Sequence, residues 1–141
     1  MTDAKVQREL SIRSESVQRV FNFHVNDLFY VNRRYQRKLI WTEEEKRQFI
    51  DSLVKGYPVP IILLAEVEIE GKKVFEIIDG MQRLNAIIAF IEGEFSYDGK
   101  FFDLNTMVES KTLLDNGTIP QSQPVLDRAI CESIASYILE L

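Results

Sequence analysis

The stretch Ile77-Ile78-Asp79-Gly80-Met81-Gln82-Arg83-Leu84 passes from an apolar strand into a helix through an acid, a glycine and two polar side chains suited to phosphate. Asp79 falls at the carboxyl end of the strand. Gly80 lacks a Cβ, so a ligand or another backbone can come close. Gln82 both donates and accepts hydrogen bonds and is able to orient a water. Arg83 carries a planar fork that matches phosphate oxygens. The helix that follows aims unpaired N–H groups at the same place. An Mg²⁺ ion, which prefers a carboxylate together with phosphate oxygens, suits Asp79. A plainer account is a turn in which Asp79 caps the helix, Gly80 permits the bend and Arg83 makes a surface ion pair. Spacing leaves both open.

Outward from this turn, Ile61 to Ile69 reads as a strand, its first part Ile61-Ile62-Leu63-Leu64-Ala65 as a buried one. Glu70-Gly71-Lys72-Lys73 turns it back, and Val74 to Ile78 returns as a second strand. From Leu84, Ile87, Ile88 and Ile91 recur at helical spacing until Gly93. Further upstream, Thr42 and Glu45 form a capping box for a helix whose apolar face is Phe49, Ile50, Leu53 and Val54. Gly56, Pro58 and Pro60 end it. Val20 to Val25 alternates imperfectly and predicts a strand, and Asn26-Asp27 a cap for the turn through Tyr30. Phe95 to Phe102 predicts a small hairpin around Asp98-Gly99. Leu126, Ile130, Ile134 and Ile138 predict one face of a final helix still running at Leu141, which suggests a fragment or a helix that docks on a partner.

The second constellation is Tyr35-Gln36-Arg37, with Arg33, Arg34 and Lys38 around it, in a stretch read as a loop. Tyr35 offers a stacking surface and the arginines offer phosphate contacts. A solvated basic loop is the other account. Trp41 is expected to pack at the helix entry, His24 to be a satisfied structural side chain, and Cys131 a small core residue.

Composition narrows the classes. The chain has 141 residues, enough for one domain with a true core. Its net charge of −5 argues against a protein that coats DNA. One histidine and one cysteine exclude zinc clusters of His and Cys, and a His-Asn-His nuclease centre, within this chain. A polar start and the lack of any apolar run approaching ~18 residues predict a cytoplasmic protein.

Tyr35-Gln36-Arg37, Trp41, Asp51-Ser52-Leu53, Gly56, Pro58, Pro60-Ile61 and Ile78 to Leu84, in that order, resemble the DGQQR-motif proteins. These are the N-terminal domains of GmrSD-type, modification-dependent restriction endonucleases and related anti-phage proteins, similar in fold to ParB and sulfiredoxin. The resemblance covers roughly Phe21 to Phe95 well and the helical tail more loosely. It implies an α+β fold, with a small mixed sheet, packed helices and a helical C-terminal tail. The expected division is a polar arm over 1–18, the ParB-like domain over 19–110 and a helical extension over 111–141.

By the same resemblance the domain is a regulatory one in prokaryotic restriction or anti-phage defence. The resemblance implies binding of a nucleoside triphosphate with Mg²⁺ and leaves its hydrolysis open. The positions that match are Asp79, Gln82 and Arg83 for catalysis, and Tyr35, Gln36, Arg37, Gly80 and Arg83 for the nucleotide, with Asp79 as metal ligand. The implied partner is a nuclease domain or subunit outside this chain, which the nucleotide step licenses or restrains. Two departures stand out: Met81 replaces the first glutamine of the motif, and Arg33 stands where a proline is common. A thioether is a poor substitute for an amide, so the doubt falls on turnover rather than binding. The sulfiredoxin chemistry is excluded, because Gly80-Met81-Gln82-Arg83 has no cysteine nucleophile. Two other classes remain: a non-enzymatic ParB-like module that binds DNA or protein through the basic loop, and an interaction domain that self-associates through the C-terminal helix.

Overall fold

The computed structural model describes residues 13–31 and 40–141. In chain order its elements are β1 (Ser14–Ser16), α1 (Val17–Val25), β2 (Phe29–Tyr30), α2 (Glu43–Val54), β3 (Leu63–Ile69), β4 (Lys72–Asp79), α3 (Met81–Ile91), a 3₁₀ turn (Leu104–Thr106), α4 (Val108–Asp115), α5 (Arg128–Ser136) and β5 (Ile138–Glu140). The fold is α+β, with a C-terminal helix packed into the body.

β4 is the central strand of a small mixed sheet in the order β2-β4-β3. β3 runs antiparallel to it, from Leu63 opposite Asp79 to Ile69 opposite Lys72, and β2 lies parallel on its other edge. Glu70 and Gly71 between the strands both take positive φ, 52° and 80°. That is the two-residue turn whose twist matches a hairpin. The expected hairpin into Asp79 is therefore present. The expected burial of its first strand is not: Ile62 is sealed, but Leu63 is 42% exposed. β3 is an edge strand, covered on one side only, so its apolar run does not report full burial.

The stretch Val20 to Val25 is helical, not a strand. Ser16 caps α1 by accepting the Arg19 N–H at 3.1 Å. Val17, Val20 and Phe21 then fall at helical spacing and are completely buried. The helix begins inside the polar segment, which hid its first apolar residue. α2 follows the expected plan, with both halves of the Thr42–Glu45 box formed and Phe49, Ile50 and Leu53 buried. Around Asp98-Gly99 there is a single bridge, Tyr97 to Lys100, and no pair of strands. Tyr97 Oη donates to Asp51 Oδ1 at 2.6 Å and ties this loop to the end of α2.

The tail differs most from expectation. The helical pattern ends at Ser136, and Ile138–Glu140 forms β5, antiparallel to β1. Leu126, Ile134 and Leu139 are buried in the core while Ile138 is 54% exposed. The four residues Leu126, Ile130, Ile134 and Ile138 thus do not form one helical docking face. α4, unforeseen, is held to α1 by Glu109, which accepts from Gln18 Nε2 and Asn22 Nδ2, each at 3.1 Å. A single apolar cluster runs from Val17 through Ile50, Ile62, Ile87 and Phe90 to Ile134 and Leu139.

Candidate phosphate-binding turn

β4 delivers Asp79 to the surface, and α3 starts two residues later. Gly80 is the N-cap of α3, at φ 101° and ψ 14°. A Cβ built there would lie 3.0 Å from Cγ1 and from Cγ2 of Ile62. Glycine is therefore demanded twice, by the left-handed backbone and by the side chain pressed against it.

The plain helix-cap account does not describe this turn. Among the described residues no side chain caps α3. Asp79 is 70% exposed and its carboxylate stands 3.9 Å from Arg83 Nη2, at the outer limit of an ion pair. An exposed pair of that length contributes little. Arg83 is not a surface residue either: its side chain is 16% exposed and Nη2 donates to the Ile61 carbonyl at 2.9 Å. Arg83 Nε is buried with no acceptor among the described residues. Among the described residues the turn thus combines an uncapped helix N-terminus, a fixed guanidinium with one unsatisfied donor, and an exposed carboxylate at the rim.

Gln82 has a structural partner. Its Oε1 accepts the backbone N–H of Trp41 at 3.0 Å. This brings the entrance of α2 to the turn, and Trp41 packs edge-on against Phe49 with ring centroids 5.7 Å apart. The amide nitrogen of Gln82 keeps its own donors. Met81 is half-buried against the core. Tyr35, Gln36 and Arg37 lie outside the described residues.

A model of the GmrSD restriction endonuclease N-terminal domain matches residues 17–135. The chain belongs to this family. No curated protein and no solved structure matches it. The GmrSD match starts with α1 and ends within α5, so it contains the hairpin, the turn and the entrance to α2.

In this GmrSD N-terminal domain the other candidates have structural roles. His24 Nε2 faces Glu92 Oε2 at 3.2 Å. Cys131 is fully buried, accepts the Asp103 N–H through sulfur at 3.4 Å, and burial pushes its thiol pKa up. Among the described residues no three His, Cys, Asp or Glu side chains gather as a metal site, and no helix is long and apolar enough to cross a membrane. Sequence reasoning missed Ile61 and Ile62 as the backing of the turn. Both act through non-local contacts, one of them a backbone carbonyl, and nothing in their local pattern marks them.

Proposed function

We propose that this domain binds a nucleoside triphosphate with Mg²⁺ and acts as the regulatory part of a restriction or anti-phage defence system, its partner a nuclease domain or subunit outside this chain. The observation that carries the reading is Arg83 Nε, buried with no acceptor among the described residues, beside a helix N-terminus that none of their side chains caps. A buried donor without an acceptor costs about 1–3 kcal/mol, and a phosphate oxygen relieves that cost. The first-turn amides of α3 add a partial positive charge at the same place.

Mg²⁺ fits the donors present. It is commonly held by one or two carboxylates plus phosphate oxygens. Asp79 supplies one carboxylate, whose ion pair among the described residues is the long one to Arg83. When bound, the ion neutralises phosphate charge. In this reading Arg83 orients the phosphates, Gly80 lets them approach the backbone, and the Gln82 amide N–H groups hold an attacking water. Tyr35, Gln36 and Arg37 complete the site by family resemblance. Catalysis in such sites rests on positioning and electrostatics.

Titration calorimetry of the four common nucleoside triphosphates with Mg²⁺ tests the reading. Wild type binds at least one of them. Arg83→Ala weakens it by roughly tenfold or more, the loss of a charge-assisted hydrogen bond. Absence of binding by every triphosphate, or unchanged affinity in Arg83→Ala, sinks the proposal.

A further inference from the structure

Ile62 joins the end of the chain to the turn. Its N–H donates to the Glu140 carbonyl at 3.1 Å. Its side chain, completely buried, stands against Gly80. Its neighbour Ile61 gives its carbonyl to Arg83. The register of β5 explains the first of these bonds. Arg13 and Leu141 exchange both backbone hydrogen bonds, at 3.2 and 2.8 Å. In an antiparallel ladder the next pair, Ser14 and Glu140, exchanges none, so the Glu140 carbonyl faces the opposite edge. There it meets Ile62. β5 is thereby held on two sides, by β1 and by the segment entering β3, while Leu139 plugs it into the core.

We propose that Ile62 is a positioning residue for the Gly80–Arg83 turn, and that the β1–β5 ribbon controls the turn by setting where Ile62 sits. A Cβ on Gly80 would stand 3.0 Å from two Ile62 carbons, so that face is closely packed, and a displacement of Ile62 is passed to the turn. The guanidinium follows, because Ile61 and Ile62 move together. A partner that pairs with or peels away the ribbon therefore changes the anion-binding geometry without touching the anion. The consequence for nucleotide rests on the phosphate-site reading; the mechanical coupling does not.

Hydrogen exchange of the whole chain separates the two. The Leu84 N–H, bonded to the Gly80 carbonyl at 3.0 Å, reports on the turn, and the Ile62 N–H reports on the ribbon. Glu15→Pro removes the N–H that faces Leu139 across the ladder. It is expected to speed exchange at both Ile62 and Leu84 by roughly tenfold while Phe49 to Leu53 stay protected. Binding of Mg²⁺ with inorganic tripolyphosphate weakens in step. Ile62→Ala, which removes the Cγ atoms that face Gly80, does the same, and Ile62→Val, which keeps them, restores wild-type values. A merely structural Ile62 would instead speed exchange at Phe49 to Leu53 along with Leu84, in proportion to the side-chain volume lost, and leave affinity alone. Fast Ile62 exchange with unchanged Leu84 exchange in Glu15→Pro overturns the coupling. So does Ile62→Ala with wild-type Leu84 exchange, which carries the test if Glu15→Pro does not fold. Failure of wild type to bind tripolyphosphate removes the nucleotide reading only, and Leu84 exchange still decides the coupling.

Discussion

Gln82 Oε1 accepts the backbone N–H of Trp41 at 3.0 Å, which makes the turn after β4 and the entrance to α2 one unit. Gln82→Ala leaves that half-buried N–H without its partner and is expected to lower stability by about 1–2 kcal/mol, read from urea unfolding. Gln82→Glu keeps an acceptor at the same place and holds most of that stability. Triphosphate hydrolysis, if Gln82 also orients water through its amide N–H groups, is lost in both variants. Equal loss of stability in both would show that the Trp41 bond is not what Gln82 contributes.

Any side chain at Gly80 is expected to destabilise the fold. Alanine at φ 101° is strained whatever the space, and its Cβ would stand 3.0 Å from two Ile62 carbons. Gly80→Ala should cost roughly 2–3 kcal/mol, the sum of backbone strain and overpacking. Thermal unfolding followed by circular dichroism checks this. Gly71→Ala is the control: its φ of 80° imposes strain, but no atom lies within 4 Å of a Cβ there. The difference between the two isolates the Ile62 contact.

How much of this was legible beforehand depends on the range of the interactions. α2 was readable because its signals are local: Thr42 and Glu45 cap each other, and Phe49, Ile50 and Leu53 lie on one face. The hairpin was readable for the same reason. α1 was not, because Phe21, Phe23 and Val25 mimic alternation while Val17, which completes the helical pattern, sits after Ser-Glu-Ser. The tail misled because Ile138 continues a four-residue spacing after the backbone has left the helix; pairing with β1 overrides the periodicity. In the site, Asp79, Gly80 and Arg83 were visible as residue types in sequence. Their geometry depends on the Ile61 carbonyl and the Ile62 side chain, neither of which has a sequence signature.

Tyr97 and Asp51 predict a pH dependence. The hydrogen bond to Asp51, then burial, pushes the Tyr97 hydroxyl up to about 12. The same bond, with Lys55 second, holds Asp51 below the ordinary carboxylate value. The folded state therefore keeps the Tyr97 proton over a range where the unfolded chain has lost it. That stabilisation is complete below about pH 10 and is lost as pH rises toward 12. At the acid end Asp51 contributes above its unfolded value near pH 4, and the contribution disappears as pH falls through the lower folded one. Tyr97→Phe should cost about 1 kcal/mol at neutral pH. It should also flatten both limbs, measured as urea midpoints across the pH range. An unchanged alkaline limb would show that Tyr97 is not its source.

Met81 is the position where binding and turnover are expected to part. It is the first residue of α3 and is half-buried against the core. Its thioether neither donates an N–H nor accepts strongly. Met81→Gln places an amide beside Gln82 at the head of the helix, where the phosphates are proposed to lie. Triphosphate hydrolysis is expected to rise in this variant while affinity changes by less than about threefold, because the anion contacts come from Arg83 and the backbone. The same change puts a polar group against apolar neighbours and should lower stability by about 1 kcal/mol. Phosphate release and calorimetry on one preparation measure both. Asp79→Ala in the Met81→Gln background abolishes the gained turnover if Asp79 holds the metal. A Met81→Gln protein that binds triphosphate with Mg²⁺ yet releases no phosphate would show that the missing amide is not what limits this centre.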